Sequence, residues 1–178
     1  MKLIVFSDIH GSAYYTRKLL DIVAKERPDL VAILGDVYNH GPRNPLPVEY
    51  DPQKVAAMLN GIKDKLLVIK GNCDSEVDAM ISEFHFVDSA VVVENGKRIY
   101  LTHGHVYNED NLPAIAVGDA LVYGHFHTVI CRKKEGVTIL NPGSISLPKD
   151  DNHAYLTIEN TRAKIVDIEG KTLAECTL

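Results

Sequence analysis

The first seventy residues alternate between short, wholly apolar runs and stretches of helical periodicity. Leu3-Ile4-Val5-Phe6, Leu30-Val31-Ala32-Ile33-Leu34 and Leu66-Leu67-Val68-Ile69 are continuous apolar runs, the pattern of strands covered on both faces. After the first run, Ser12 is suited to cap a helix, and Tyr15, Leu19, Ile22 and Val23 recur at helical spacing. After the second, Asp51-Pro52 supplies a cap and a first-turn proline. Val55, Met58, Leu59 and Ile62 then form one apolar face. The loop between, Tyr38 to Tyr50, is long and stiffened by Pro42, Pro45 and Pro47. The front of the chain is therefore expected to be βαβαβ.

The second half changes character. Ala90 to Glu94 and Lys97 to Leu101 flank Asn95-Gly96, a strong hairpin signal. Ala120-Leu121-Val122-Tyr123 and Val137 to Leu140 are further apolar runs. Tyr155 to Ile158 and Ala163 to Ile168 alternate apolar with polar residues. This half is expected to be mainly antiparallel β. Both patterns fit an α/β fold, a β-sandwich of two mixed sheets flanked by helices in α-β-β-α layers. Nothing repeats internally and no linker breaks the pattern, so a single domain over residues 1–178 is expected.

Composition narrows the class. With 46% hydrophobic and 24% charged residues among 178, the chain is ordinary globular protein. A net charge of -5 argues against a polyanion-binding surface. Cys73, Cys131 and Cys176 are odd in number and form no CxxC pair, so no disulfide framework is expected and a reducing compartment fits better. The N-terminal apolar run is too short for a signal peptide, and no apolar stretch approaches membrane-spanning length. The expectation is a cytoplasmic protein that engages no membrane. A homo-oligomer is left open.

The candidate chemistry lies where these strands end. Asp8 and His10, Asp36, Asn72, His103, and His125 with His127 each follow or close an apolar run. Strand ends in an α/β fold converge on one edge, where distant residues can meet. Singly, each piece has a bland reading: Gly35-Asp36 and Gly71-Asn72 are common turn pairs, and a lone histidine is often a surface residue. Together they are too many nitrogen and oxygen ligands for one ordinary transition-metal site, and about right for two metals sharing a carboxylate.

The order D-x-H, G-D, G-N, H-G-H, G-H-x-H resembles the calcineurin-like metallophosphoesterase signature. The segments Leu34 to Val37, Asn39 to Asn44, Gly71 to Asp78, Thr102 to His105 and Asn141 to Ser144 are similar to those of the YfcE-type bacterial phosphodiesterases. The resemblance implies a metallophosphoesterase-like sandwich and two divalent ions, manganese first, with iron, nickel, cobalt or zinc as alternatives. Asp8, His10 and His127 would hold one ion, and Asn72, His103 and His125 the other, with Asp36 as bridge. The catalytic set would be Asp36, Asn72 and His103. The implied reaction is hydrolysis of a small phosphodiester by attack of a metal-bridging hydroxide. A phosphomonoesterase, a nucleotide pyrophosphatase and a cyclic-nucleotide hydrolase would share the cluster. A scaffold like the retromer subunit of similar fold is the alternative of another class.

Several residues keep open roles. Arg43 and His40 would read the substrate's phosphate or second ester group, or merely belong to a solvated, proline-stiffened loop or a subunit contact. The general acid is unassigned, with His105 and His40 as candidates, because Cys73 stands where many relatives of this superfamily have histidine. Cys73 itself is expected to be a small buried residue. Asp74 is expected to cap a nearby helix, with orientation of a ligand histidine as the alternative. Asn141 to Ser144 is expected to be a structural turn, and His85 and His153 surface residues.

Overall fold

The structure is a computed structural model that describes residues 1–178. Its elements are β1 (Lys2–Phe6), α1 (Ala13–Glu26), β2 (Leu30–Ile33), α2 (Pro52–Asn60), β3 (Leu66–Ile69), β4 (Phe86–Val87), β5 (Ser89–Glu94), β6 (Lys97–Thr102), β7 (Ala120–Val122), β8 (Val129–Lys134), β9 (Val137–Pro142), β10 (Ala154–Glu159), β11 (Arg162–Asp167) and β12 (Thr172–Thr177). They form a seven-stranded sheet in the order β12-β11-β10-β1-β2-β3-β4 and a five-stranded sheet in the order β5-β6-β7-β9-β8.

The continuous apolar runs are explained by alternation. Ile4, Phe6, Val31, Ile33 and Val68 face α1 and α2, where they pack with Leu19, Val55 and Leu59. Their neighbours Leu3, Val5, Ala32, Leu34 and Ile69 face the second sheet and meet Ile99, Leu101, Val122 and Leu140. Each strand thus buries both faces, as period-two side chains require.

The sandwich of two mixed sheets is as expected from sequence, with two differences. No helix covers the outer face of the smaller sheet: Leu121, Tyr123, Val137 and Ile139 lie under Leu112 and Ile115 of the segment between β6 and β7. The expected fourth helical layer is a loop. Second, although the latter half is mainly antiparallel as expected, in β5 with β6, β8 with β9, β10 with β11 and β11 with β12, its strands β6, β7 and β9 run parallel. The long segment after β6 returns the chain in the same direction, and between β7 and β9 the chain runs back as β8, antiparallel to β9.

Both helix starts follow the sequence. Ser12 Oγ accepts the Tyr15 N–H at 3.3 Å and donates to the Val48 carbonyl at 2.6 Å. Asp51 Oδ1 accepts the Lys54 N–H at 3.1 Å. The long loop is pinned between these points: Ala13 N–H donates to Glu49 O at 3.0 Å, and Asp51 N–H to Gly11 O at 2.8 Å. Gly11 has φ +78°, and a Cβ there would strike the Tyr38 carbonyl, so glycine is required. His153 is not a bare surface residue: its Nε2 lies 3.0 Å from the Tyr15 hydroxyl and its ring stacks on Tyr15 at 4.4 Å. His85 is exposed, as expected.

Candidate metal centre

Every candidate ligand leaves the C-terminal end of a parallel strand. Asp8 and His10 follow β1, Asp36 follows β2 and Asn72 follows β3, all in the larger sheet. His103 follows β6, and His125 and His127 follow β7, in the smaller one. Both sheets therefore deliver ligands to one edge of the sandwich.

The backbone there is held in a costly shape. Asp8 (φ 56°), His10 (51°), Asp36 (52°), His125 (63°) and His127 (61°) are all left-handed, at about 1 kcal/mol or more each. Tertiary bonds over-determine them. His10 N–H donates to Asp36 O at 2.8 Å, and Ser144 and Ser146 hydroxyls donate to Asp8 O at 2.7 and 2.9 Å. His125 N–H donates to Asp8 Oδ2 at 2.9 Å. The Asn141–Ser144 segment is thus the structural turn behind the site, as expected.

The side chains meet in two groups. His127 Nε2 lies 3.3 Å and His10 Nε2 3.6 Å from Asp8 Oδ1, and the two imidazole nitrogens are 3.1 Å apart. On the other side, His103 Nε2 is 3.0 Å from Asn72 Oδ1 and 3.2 Å from His125 Nδ1. Asp36 Oδ2 lies between, 3.8 Å from His10 Nε2 and 3.5 Å from His103 Nε2. The structure thus brings together all seven ligands named from sequence.

The donor set fits divalent cations. His10, His103 and His127 point Nδ1 at the carbonyls of Asn39, Leu34 and Leu147, at 2.8, 2.6 and 2.7 Å. A carbonyl can only accept, so each Nδ1 carries a proton, and a ring that gives up its second proton turns the Nε2 lone pair inward. Two lone pairs facing each other at 3.1 Å call for a positive charge between them. Asp8 Oδ1 is buried with no hydrogen-bond partner, a costly state that a cation relieves.

Titration behaviour follows the same geometry. Burial alone would raise the Asp8 carboxyl, but His10 and His127 hold it well below the usual carboxylate range. Burial also opposes protonation of His103, yet Asp36 and Asp8 raise it to about 9. Burial, helped by the charge of His103, pushes His125 down to about 4. Cation binding must then displace a proton from His103, so affinity for manganese should rise by roughly tenfold per unit between pH 6.5 and 9. Competition against a chromophoric chelator measures this, and a flat profile would remove His103 from the ligand set. For the chelated protein the sign reverses. A raised His103 adds stability that is full below about 6.5 and is lost as pH climbs through about 9.

Asp74 does not cap a helix. Its carboxylate accepts the N–H groups of Asp36 and Val37, both at 2.8 Å, and of Gly71 at 2.7 Å. It ties the loop after β2 to the loop after β3. Burial pushes it up to about 6 against the pull of these three donors.

A cavity of about 510 Å³ opens over the centre, bounded by Asp36, Asn72, His125 and His127. Arg43 lines it; His40 does not. His40 Nδ1 instead donates to Asn44 O at 3.1 Å and its ring packs edge-on against Tyr50, ordering the loop. His105 opens onto a separate hollow with Lys70, Asp88 and Tyr107. Cys73 is half-buried on the main cavity wall, not buried behind it, and burial together with Asp36 pushes its thiol up to about 12. Sequence reasoning missed Lys149 and Phe126, which also line the cavity. Phe126, an apolar residue between two ligand histidines in a loop, was a usable signal; Lys149 gave none.

Comparison with known proteins agrees with this geometry. Residues 1–163 match the calcineurin-like phosphoesterase superfamily domain. The chain is 42% identical to the phosphodiesterase YfcE of Escherichia coli, over 97% of this chain and 95% of that one. A phosphodiesterase of Methanocaldococcus jannaschii is 26% identical over 100% of this chain and 99% of its own. The solved structure of YfcE superposes with a TM-score of 0.96 at 39% identity, covering 99% of each chain. Vps29 of Entamoeba histolytica, in complex with zinc, shares the fold at TM-score 0.63 and 19% identity, covering 99% of each chain. With the profile spanning most of its length and the ligand-bearing strand ends in place, the chain belongs to the calcineurin-like phosphoesterase superfamily.

Proposed function

We propose that the protein is a binuclear metal-dependent phosphodiesterase acting on small diesters. The observation that carries this reading is the position of Asp36 Oδ2, flanked by His10 on one side and His103 on the other. One carboxylate so placed can serve two ions. Asp8, His10 and His127 would hold one and Asn72, His103 and His125 the other, with manganese the first metal to try. Bound there, such ions supply Lewis acidity toward phosphoryl oxygens and a water acidified to near neutrality.

The chain's own groups do the positioning. Three carbonyl-anchored Nδ1–H groups fix the imidazoles before anything binds. Asn72 turns Oδ1 toward His103 and keeps its N–H₂ beside Cys73 on the cavity wall, where it can donate to a phosphoryl oxygen as charge grows. Preference for diesters over monoesters or pyrophosphates rests on the likeness to YfcE. The three free cysteines favour a reducing cytoplasm, and no helix is long and apolar enough to cross a membrane.

The test is a metal-by-substrate matrix. Protein stripped with a strong chelator should lose activity on an aryl phosphodiester and regain it with manganese. Its melting temperature should rise on reloading, by the equivalent of about 2.7 kcal/mol at a hundredfold excess over Kd. A monoester and a pyrophosphate run alongside should turn over more slowly. Full activity in the stripped protein would overturn the reading.

A further inference from the structure

The cavity over the metal centre holds more positive charge than one phosphodiester uses. Two divalent ions set against Asp8, Asp36 and a bridging hydroxide would leave one excess positive charge, which a single phosphodiester already neutralises. Arg43 and Lys149 nevertheless open onto the same space. Neither forms an ion pair with a carboxylate, and Asp36 is the one acidic residue on the wall. In a chain of net charge -5, two unpaired cations facing one cavity are a local reversal of sign.

Both are presented from braced backbone. Arg43 sits inside a turn closed by Asn44 Nδ2–H to His40 O at 2.7 Å and by His40 Nδ1–H to Asn44 O at 3.1 Å. His40 is therefore a positioning residue for this turn. Lys149 N–H donates to His127 O at 2.8 Å, so its backbone is tied directly to a ligand loop. Arg43 and Lys149 thus come from separate segments with braced backbones and open onto one cavity with the candidate metal ligands. A guanidinium fork matches paired oxygens of a phosphate, and a phosphomonoester at neutral pH carries charge enough for both groups.

We infer that the substrate is a phosphodiester that carries a terminal phosphate on one ester arm, held by Arg43 and Lys149 while the diester phosphorus lies over the metal centre. The inference rests on the phosphodiesterase reading above and names its substrate class. A terminal carboxylate would use the same charge, and the experiment separates the two.

The test compares three aryl alkyl phosphodiesters whose alkyl arm ends in a methyl, a carboxylate or a phosphate. In manganese-loaded wild type, kcat/KM for the phosphate-ended diester should exceed that for the methyl-ended one by roughly tenfold or more, chiefly through KM. The carboxylate should fall between. That ratio should drop toward one in Arg43→Ala and Lys149→Ala, and recover in part in Arg43→Lys. Calorimetric binding of the matching non-hydrolysable phosphonates should show the same order without turnover. A wild-type ratio near one, or a ratio kept in the double variant, overturns the inference. A carboxylate preferred over phosphate overturns the phosphate assignment. If no diester is hydrolysed at all, the phosphodiesterase reading falls. Equal binding of the three phosphonates would then refute the anion subsite separately.

Discussion

Replacing Asp36 by Asn should lower kcat on a phosphodiester by about a thousandfold while leaving the fold in place. Asp36 Oδ1 accepts the Cys73 N–H at 2.8 Å, and an asparagine carbonyl can keep that bond. The amide N–H₂ would then take the place of Oδ2, between His10 and His103. A donor would stand where a cation needs an acceptor, and one negative charge would be gone from both halves of the site. Losing a partner that merely orients a metal ligand already costs 10- to 100-fold, so a shared ligand should cost about a decade more. The measurement is kcat at saturating manganese, with circular dichroism and the melting curve as controls for folding. If the variant kept wild-type turnover, the centre would not be catalytic. A scaffold role predicts a different outcome: biological activity that survives in this variant even though turnover is lost.

Gly71→Ala should injure both stability and turnover. A Cβ at Gly71 would run into the backbone nitrogen and the carboxylate of Asp36, with Asp36 Cγ at 3.0 Å. This is contact with main chain in a buried place, so no flexible side-chain tip can swing aside. Gly71 and Asp36 are also tied through the Asp74 carboxylate, which prevents their parting without breaking those bonds. Overpacking of this kind costs about 1–3 kcal/mol, and displacing a ligand by about 1 Å costs roughly a hundredfold in rate. Urea unfolding and kcat should therefore fall together. An unchanged midpoint with unchanged kcat would show that the two loops separate freely.

The parts of this fold visible in the sequence are those whose burial imposes a pattern. β1, β2 and β3 have both faces covered, so Leu3 to Phe6, Val31 to Ile33 and Leu66 to Ile69 are apolar throughout. β4 has two residues, Phe86 and Val87, too few for any period. It exists because β3 offers an unpaired edge. β8 ends in Arg132-Lys133-Lys134, charges that suit the exposed rim of a sheet but hide the strand. Strand direction leaves no trace in hydropathy, which is why the parallel pairing of β6, β7 and β9 went unforeseen. The seven candidate ligands were legible because each stands beside a strand end. Asp74 was not: its three partners are backbone N–H groups, two of them distant in sequence and none marked by residue type. Lys149 likewise becomes visible only when β9 and the turn after it return to the cavity.

One feature of the architecture reaches further than the chemistry. The larger sheet carries Asp8, His10, Asp36 and Asn72, and the smaller carries His103, His125 and His127. Ions seated among them would rivet the halves of the sandwich, and any slippage of one half over the other would stretch the rivets. The hydrophobic seam between the halves, Leu101 and Val122 with Val5 and Leu34, would then act as a gauge block for such a centre. Methyl groups that never meet substrate would then set how far apart two bound ions could sit.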